Sequence, residues 1–313
     1  MTSIITITVV IPAYNARATL GRALDSVLAQ TRPADEIIVV DDGSTDDSVK
    51  IASRYCTHGL RLLSLSERRG ASAARNAGIV AATGTWIAFL DADDEWLPSK
   101  LERQVTAIDM NPGTSFVFCA SEELTADGKA LGDTFRNGIV TSGNEAWKAL
   151  LACNFIATPT VMASRALLMK LGGFDETLKV AEDQDMWIRL ALAGPPVYVR
   201  DSLVRVHVQS KSLSSWSLAD QYVYTLPMIK GHLQALSDRL SRSESRAIMG
   251  ARLSQIGLIT CTEGYLMRGL QLILRSALLG HRPLGSLVIM AKALLRRCLR
   301  TVRQIAQNQR SAP

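Results

Sequence analysis

The sequence is poor in cysteine, and the cysteines that it has are scattered. Cys56, Cys119, Cys153, Cys261 and Cys298 are odd in number and include no C-x-x-C pair. This usage disfavours both a disulfide scaffold and a structural zinc site, and it favours a reducing compartment.

Long apolar runs are also missing. No uninterrupted run approaches the roughly 18–20 residues that a membrane-spanning helix requires. The N-terminus lacks the basic region and the small-residue cleavage site of a signal peptide. We therefore expect a cytoplasmic protein. Because 47% of its 313 residues are apolar and 20% are charged, the chain can bury a sizeable core.

Acidic residues are absent from the last fifty positions. Residues 264–313 contain nine basic residues and no acid, which leaves 26 basic against 29 acidic residues in 1–263. The net charge of +6 therefore comes from this tail. The tail has few aromatic residues for base stacking and no recognisable reader motif, so we expect no nucleic-acid partner.

Strand and helix patterns alternate through the first 120 residues. Helices are predicted after a cap at Asn15, after an opening at 44–47, and over 72–82. Predicted strands, each a short apolar run, cover 4–11, 36–40, 60–65, 86–90 and 115–120. This alternation predicts βαβ units and hence a parallel sheet with helices on both faces.

The rest of the chain is less regular up to 213 and mostly helical afterwards. Residues 181–193 are predicted to form an amphipathic helix that turns Trp187, Leu190 and Ala191 inward. We expect the later helices to be interrupted at Pro227 and again at 280–283.

Carboxylates follow two of the predicted strands. Asp91 and Asp93 follow the run 86–90, and Asp41 and Asp42 follow the second strand. Ligands bind at the carboxyl ends of parallel strands, and Asp91 and Asp93 point the same way because strand side chains repeat every second residue. Two such donors suit Mg²⁺ or Mn²⁺ together with nucleotide phosphates. Taken alone, each pair also fits a solvated turn or a helix cap.

Seven segments in this order and spacing resemble the family 2 glycosyltransferases. The resemblance is fullest over 4–120 and continues to about 213. Its segments are 9–15 (VVIPAYN), 39–46 (VVDDGSTD), 70–78 (GASAARNAG), 89–94 (FLDADD), 172–176 (GGFDE), 182–190 (EDQDMWIRL) and 204–207 (VRVH).

The resemblance implies an α/β fold of the GT-A type, followed by a mostly helical C-terminal region. Residues 1–213 would be the catalytic domain, with a Rossmann-like nucleotide-binding half at 1–120 and an acceptor-binding half at 121–213. Residues 214–313 would be the basic helical region. Members of the family transfer a sugar from a nucleotide-sugar to an acceptor with inversion at the anomeric carbon.

The resemblance also carries over donor-binding residues. Pro12, Tyr14, Asp41 and Asp42 would border the nucleobase and ribose, and Arg75 would lie near the nucleotide. We expect a UDP-sugar as the donor.

The resemblance identifies a metal site as well. Asp91 and Asp93 match the D-x-D motif for Mn²⁺ or Mg²⁺, with Asp93 the direct ligand and Asp91 nearer the ribose or the metal's waters. His207 matches a position that lies near the metal or diphosphate in some relatives. A lone histidine in a β-branched stretch is more often a hydrogen-bonded structural residue than a metal ligand.

Asp183 matches the base of the family. The acceptor hydroxyl must lose its proton as it attacks, which requires a carboxylate on that side. The alternative for Glu182 and Asp183 is a pair of acids placed at a helix N-terminus, where the macrodipole favours negative charge.

The Q-x-x-R-W motif of processive synthases is missing, since Gln184 is followed by Asp185, Met186 and Trp187. We therefore expect one sugar per encounter, transferred to a glycan or lipid-linked glycan acceptor of the cell-surface polysaccharide type. An apolar stripe with basic neighbours over 284–305 predicts peripheral contact with an anionic membrane on its cytoplasmic face. Packing on the catalytic domain, or on a second subunit of an oligomer, is the alternative.

Two other functions remain open at this point. A nucleotidyltransferase shares the sheet and the paired acids, but it would show a basic, glycine-rich loop after the first strand, where this chain has Pro12 to Asn15. A non-catalytic sugar or lipid-carrier binding protein could keep the same fold and bind the donor without turnover.

Overall fold

The computed structural model describes residues 4–125, 128–133, 140–208 and 218–281. Contacts within the chain divide it into two compact units. The sheet unit comprises residues 1–150 and 154–213, and the helical unit comprises 151–153 and 214–313.

One mixed sheet organises the sheet unit. Its strands are β1 Ile7–Ala13, β2 Glu36–Asp41, β3 Leu60–Ser64, β4 Trp86–Phe89, β5 Glu95–Trp96, β6 Phe116–Thr125, β7 Ala130–Asp133, β8 Met162–Ser164 and β9 Val197–Val208. Their order in the sheet is β3-β2-β1-β4-β8-β6-β9-β5, with β7 paired to β6. The expected α/β class is confirmed.

The expected all-parallel sheet holds only for the first four strands. β3, β2, β1 and β4 are parallel, but β8 is inserted antiparallel between β4 and β6. Beyond it β6 and β9 are parallel, and β5 is antiparallel to β9. A strand as short as β8 carries too little periodicity to be recognised in the sequence.

The helices follow the predicted pattern with two corrections. Asn15 does not cap α1, which begins five residues later; its backbone is left-handed (φ 49°) and its Oδ1 accepts a hydrogen bond from the Thr45 N–H. Pro227 does not interrupt α8, because buried Thr225 and Ile229 on either side hold the helix together by packing. The helices are α1 Leu20–Leu28, α2 Ser48–Arg54, α3 Ala71–Ala81, α4 Lys100–Met110, α5 Ala146–Ala152, α6 Arg165–Lys170, α7 Glu182–Ala193, α8 Leu218–Ala235, α9 Arg242–Thr262 and α10 Leu266–Leu278.

Small residues seat α3 directly on the sheet. A Cβ atom at Gly78 would lie 2.4 Å from Cγ1 of Val10 on β1, so only glycine permits this approach. Ala73 and Ala74 are buried on the same helix. This packing carries Arg75 to the carboxyl edge of the parallel strands.

An aromatic cluster fixes α7 against the sheet. The Trp187 ring lies 6.1 Å from Phe89 on β4, 5.9 Å from Phe116 on β6 and 5.8 Å from Phe174, measured between centroids. Asn76 of α3 holds the Phe174 backbone, donating to its carbonyl at 2.9 Å and accepting from its N–H at 2.8 Å. The first turn of α7 is therefore held at a fixed place.

The helical unit contains a closely packed pair, α9 and α10. A Cβ atom at Gly269 would lie 2.5 Å from the carbonyl oxygen of Gly257, and the Ser276 hydroxyl donates to the Gly250 carbonyl at 2.6 Å. The opposite face of α10 exposes Met267, Leu274 and Leu278, which are 73%, 65% and 77% accessible. Within the described ranges, every helix is too short or too polar to cross a membrane.

Candidate active site

A cavity of about 470 Å³ opens at the carboxyl edge of β1, β2 and β4. Most of the predicted site residues line it, whereas Asp41 and Asp183 do not. The predicted residues that line it are Pro12, Tyr14, Asp42, Arg75, Asp91, Asp93 and His207.

The two carboxylates at the end of β2 each hold a turn. Asp42 accepts hydrogen bonds from the backbone N–H groups of Arg69 at 2.7 Å and Gly70 at 2.8 Å, and so anchors the loop that leads into α3. Asp41 accepts from the Ser44 N–H at 3.2 Å and is not among the residues that line the cavity. Asp42 therefore borders the cavity as a buried loop anchor, and Asp41 holds the turn that follows β2.

Sequence reasoning missed Arg68, which also lines the cavity. Its guanidinium lies 4.0 Å from the centroid of the Tyr14 ring, a cation–π contact. A single arginine in a loop gives no sequence signal, because arginines are common on solvated loops. The contact places positive charge at the Tyr14 end of the cavity.

Arg75 joins two acidic segments that are far apart in the sequence. Its Nη2 donates to Asp91 Oδ1 at 2.8 Å, and its Nη1 donates to Glu182 Oε1 at 3.1 Å. Burial works to lower the pKa of Arg75, but the Asp91 and Glu182 carboxylates outweigh burial and raise it. Arg75 therefore remains cationic and ties the end of β4 to the start of α7.

Negative charge is concentrated after β4. Burial and the neighbouring Asp91 carboxylate raise the pKa of Asp93. Burial, together with Asp91 and Asp93, raises the pKa of Asp94 to about 8. Arg22 donates from Nη2 to the Asp93 carbonyl oxygen. These carboxylates raise one another's pKa, so a bound cation would relieve their mutual repulsion.

His207 lies beside this cluster at the end of β9. Its backbone N–H donates to Asp94 Oδ1 at 2.9 Å. Its Nε2 is buried without a hydrogen-bond partner and lies 3.7 Å from Glu95 Oε1. Burial and the positive charge of Arg22 lower the pKa of His207, which favours the neutral form that can coordinate a metal.

The donor set fits a divalent cation that is completed by its substrate. Among the residues that the structure describes, no group of three or more His, Cys, Asp or Glu side chains is arranged as a complete metal site. Mg²⁺ is commonly held by one or two carboxylates together with substrate phosphates. Asp91 and Asp93, with the unsatisfied His207 Nε2 on the same cavity wall, match such a partial site.

Asp183 lies in the first turn of α7, outside the cavity lining. Its Oδ1 accepts from the Gln184 N–H at 2.6 Å, and its Oδ2 accepts from Nδ2 of Asn154 at 3.0 Å. Burial and the adjacent Glu182 carboxylate raise the pKa of Asp183 to about 6, against the opposing effects of these two hydrogen bonds and of Arg75. A carboxylate with such a pKa can accept a proton near neutral pH.

The residue before this turn is in an uncommon conformation. Ala181, which precedes Glu182, has a left-handed backbone (φ 62°), a region that non-glycine residues seldom occupy. The sequence reasoning found neither this strain nor Asn154, because Asn154 is 29 positions from Asp183 and no local pattern connects them.

The comparison with known proteins agrees with this geometry. The profile described as "Glycosyl transferase family 2" matches residues 8–137. The succinoglycan biosynthesis protein ExoO of Rhizobium meliloti is 28% identical over 318 aligned residues, which cover 98% of this chain and 90% of that protein.

A further relative is the UDP-Glc:alpha-D-GlcNAc-diphosphoundecaprenol beta-1,3-glucosyltransferase WfgD of Escherichia coli. It is 30% identical over 184 residues, which cover 59% of this chain and 69% of WfgD. Among solved structures, the mannosyltransferase PcManGT from Pyrobaculum calidifontis, in complex with GDP-Man and Mn²⁺, aligns with a TM-score of 0.56. That alignment has 20% identity and covers 96% of this chain and 88% of PcManGT, and it confirms the expected GT-A fold. Since the family profile spans the strands that form the cavity, and a glucosyltransferase relative is matched over two thirds of its length, this chain belongs to glycosyltransferase family 2.

Proposed function

We propose that this glycosyltransferase is metal-dependent, inverting and non-processive, and that it moves a sugar from a UDP-sugar to a glycan or lipid-linked glycan in cell-surface polysaccharide synthesis. The name of ExoO refers to succinoglycan biosynthesis, and that of WfgD to a UDP-Glc donor and a diphosphoundecaprenol-linked acceptor. These names support the donor and acceptor classes. Membership of the family favours this function over a nucleotidyltransferase or a non-catalytic binding protein.

The observation that carries the proposal is the Arg75 bridge. One guanidinium contacts Asp91 on the cavity wall and Glu182 beside Asp183. A transferase must hold its donor and its base in fixed register, because reacting groups gain rate when they are prepositioned. The bridge supplies that register between the carboxyl edge of the sheet and the start of α7.

On the donor side, the nucleobase and ribose would lie against Pro12, Tyr14 and Asp42, with Asp41 supporting the loop beneath them. Arg68, over the Tyr14 ring, and Arg75 would face the phosphates with positive charge. Residues 1–120 would thus form the donor half of the catalytic domain, 121–213 the acceptor half, and 214–313 a separate helical region.

Asp93 and Asp91, with His207 beside them, are the residues that would hold Mn²⁺ or Mg²⁺. When bound, such a cation neutralises the charge that develops on the leaving diphosphate. Such a cation would also offset the burial and the neighbouring Asp91 charge that raise the pKa of Asp93.

On the acceptor side, Asp183 would act as the base. The acceptor oxygen attacks the anomeric carbon opposite the leaving group, and its proton passes to the Asp183 carboxylate. The bond from the anomeric carbon to the phosphate oxygen breaks, and its electron pair leaves with the diphosphate. A single displacement of this kind inverts the anomeric carbon.

The test is a panel of nucleotide-sugars incubated with the full chain and Mn²⁺, with donor binding measured by calorimetry and turnover by mass spectrometry. Asp183→Asn should bind donor as the wild type does and lose about 10²–10⁴-fold in turnover, as expected for removal of a general base. Asp93→Asn should lose metal-dependent donor binding.

The matched control is Asp109→Asn, an exposed carboxylate on α4, which should change neither quantity. If no nucleotide-sugar in the panel binds or turns over, the proposed function is wrong. If Asp183→Asn retains full turnover, the base lies elsewhere.

We also propose that the helical unit contacts an anionic membrane from the cytoplasmic side. The predicted stripe at 284–305 lies outside the described residues, but α10 supports the same idea. Its exposed Met267, Leu274 and Leu278 have Arg268 and Arg275 beside them on the same helix. Apolar surface flanked by basic residues, with no acid after Glu263, complements anionic lipid head groups. A second copy of the chain could use the same face in an oligomer.

A further inference from the structure

The side chain of Asn154, just after α5, has a defined orientation. Its Nδ2 donates to Asp183 Oδ2 at 3.0 Å, and its Oδ1 accepts from the Ile156 N–H at 3.3 Å. Rotating the amide by 180° would set an acceptor oxygen against the carboxylate and a donor against the N–H. Both partners therefore select the same orientation, in which the amide donates to Asp183.

The Asp183 carboxylate has two hydrogen bonds of different kinds. The bond at Oδ1 comes from the Gln184 backbone and is fixed by the helix, so no side-chain change removes it. The bond at Oδ2 comes from a side chain and can be removed. The charged groups facing the carboxylate are Glu182 on the same turn and Arg75 on α3, with Asp91 on the far side of Arg75.

We propose that Asn154 is a positioning residue for the base, holding Asp183 Oδ2 in place and stabilising its ionised form. The proposal rests on the proposed role of Asp183. A carboxylate oxygen has two lone pairs, so one bond from Asn154 leaves Oδ2 able to accept the acceptor proton. The amide protons of Asn154 stay on its nitrogen throughout.

The hydrogen bond from Asn154 affects the pH dependence of the reaction. A hydrogen bond donated to the charged form of a carboxyl group favours that form and lowers the pKa. Burial and Glu182 raise the pKa of Asp183 to about 6, and Asn154 opposes them. Without the amide, Asp183 binds its proton at higher pH. It is therefore ionised, and able to act as the base, over a narrower range of pH.

The experiment measures hydrolysis of a UDP-sugar by the full chain with Mn²⁺ between about pH 5 and pH 8, with water as the acceptor. Asn154→Ala should leave the KM for the donor within about twofold, while kcat near pH 6 falls about tenfold and recovers in part as pH rises. Asn154→Asp should shift the acid limb further in the same direction, because it sets a second carboxylate against Asp183.

The control is Asn111→Ala, which removes an amide hydrogen bond to the Ala107 carbonyl on the exposed end of α4. It should leave the pH profile unchanged. Should Asn154→Ala unfold, Asn154→Ser provides a smaller change and should show the same direction of shift.

A uniform loss of kcat at every pH, with the acid limb where the wild type has it, would overturn the proposal, because a merely structural role predicts that pattern. An unchanged kcat and profile in Asn154→Ala would overturn it too. Failure of the proposed function is separately visible, since either the wild type would turn over no donor or Asp183→Asn would retain turnover, whatever Asn154 does.

Discussion

Removing the Arg75 charge tests whether the bridge between β4 and α7 stabilises the sheet unit. Arg75→Met keeps most of the side-chain volume but leaves the Asp91 and Glu182 carboxylates without their cation. Breaking a buried ion pair by removing one partner costs about 3–5 kcal/mol. The side chains of Asp91 and Glu182 keep 27% and 21% of their accessibility, so solvent offsets part of this loss. We expect a decrease of about 3 kcal/mol in the free energy of unfolding, at the lower end of that range.

The assay is urea denaturation of the full chain without donor or metal, so that catalysis does not enter. Arg103→Met is the matched control, because Arg103 pairs with Asp201 at 2.6 Å while the two side chains are 56% and 46% accessible. An exposed pair of this kind contributes less than about 1 kcal/mol. Adding Glu182→Gln to Arg75→Met should restore part of the stability, since it removes one unpaired carboxylate. Equal losses in Arg75→Met and Arg103→Met would refute the reasoning.

Two further predictions concern a buried lysine and the outer face of α10. Burial lowers the pKa of Lys100 to about 8, from the usual 10.5. Between these values Lys100 is protonated in the unfolded chain and neutral in the folded chain, so the free energy of unfolding rises with pH. Relative to Lys100→Met, the free energy of unfolding of the wild type should increase by about 3 kcal/mol between pH 8 and 10.5. Urea denaturation at several pH values measures it, and the same pH dependence in both proteins would contradict this prediction. On α10, replacing Met267, Leu274 and Leu278 with serine should weaken sedimentation with phosphatidylglycerol-containing vesicles by at least about tenfold, whereas Val80→Ser, at an exposed site on α3, should not. Unchanged sedimentation of the triple variant would exclude this face as the lipid contact.

The acidic residues of the cavity could be predicted because the end of a strand is recognised from a few neighbouring residues. Asp91 and Asp93 follow an apolar run, and Asp42 follows another, so each can be assigned to a strand end without knowing the strand order. Carboxyl ends of parallel strands share one edge of the sheet. That reasoning could not separate Asp42, which lines the cavity, from Asp41, which does not, because adjacent residues differ only in the direction in which the backbone points their side chains.

The errors in the predicted helices and strands have specific causes. Asparagine often caps a helix, but the side-chain oxygen of Asn15 accepts a hydrogen bond from the N–H of Thr45, thirty positions away. Pro227 normally ends a helix, and packing of its neighbours carries α8 past it. The sequence does not predict β8, because three residues are too few to show the alternation of a strand. Its insertion between β4 and β6 nevertheless makes the sheet mixed.

The alternation of strands and helices over the first 120 residues, the polar residues at the strand ends and the family of the chain could all be predicted from local sequence patterns. These features rest on periodicity and on short motifs, which act over a few residues. The contacts of Arg75 with Glu182, 107 positions away, and of Asn154 with Asp183, 29 positions away, could be found only in the folded chain. Both contacts depend on the position of α7, which is set by the packing of Trp187 against Phe89, Phe116 and Phe174.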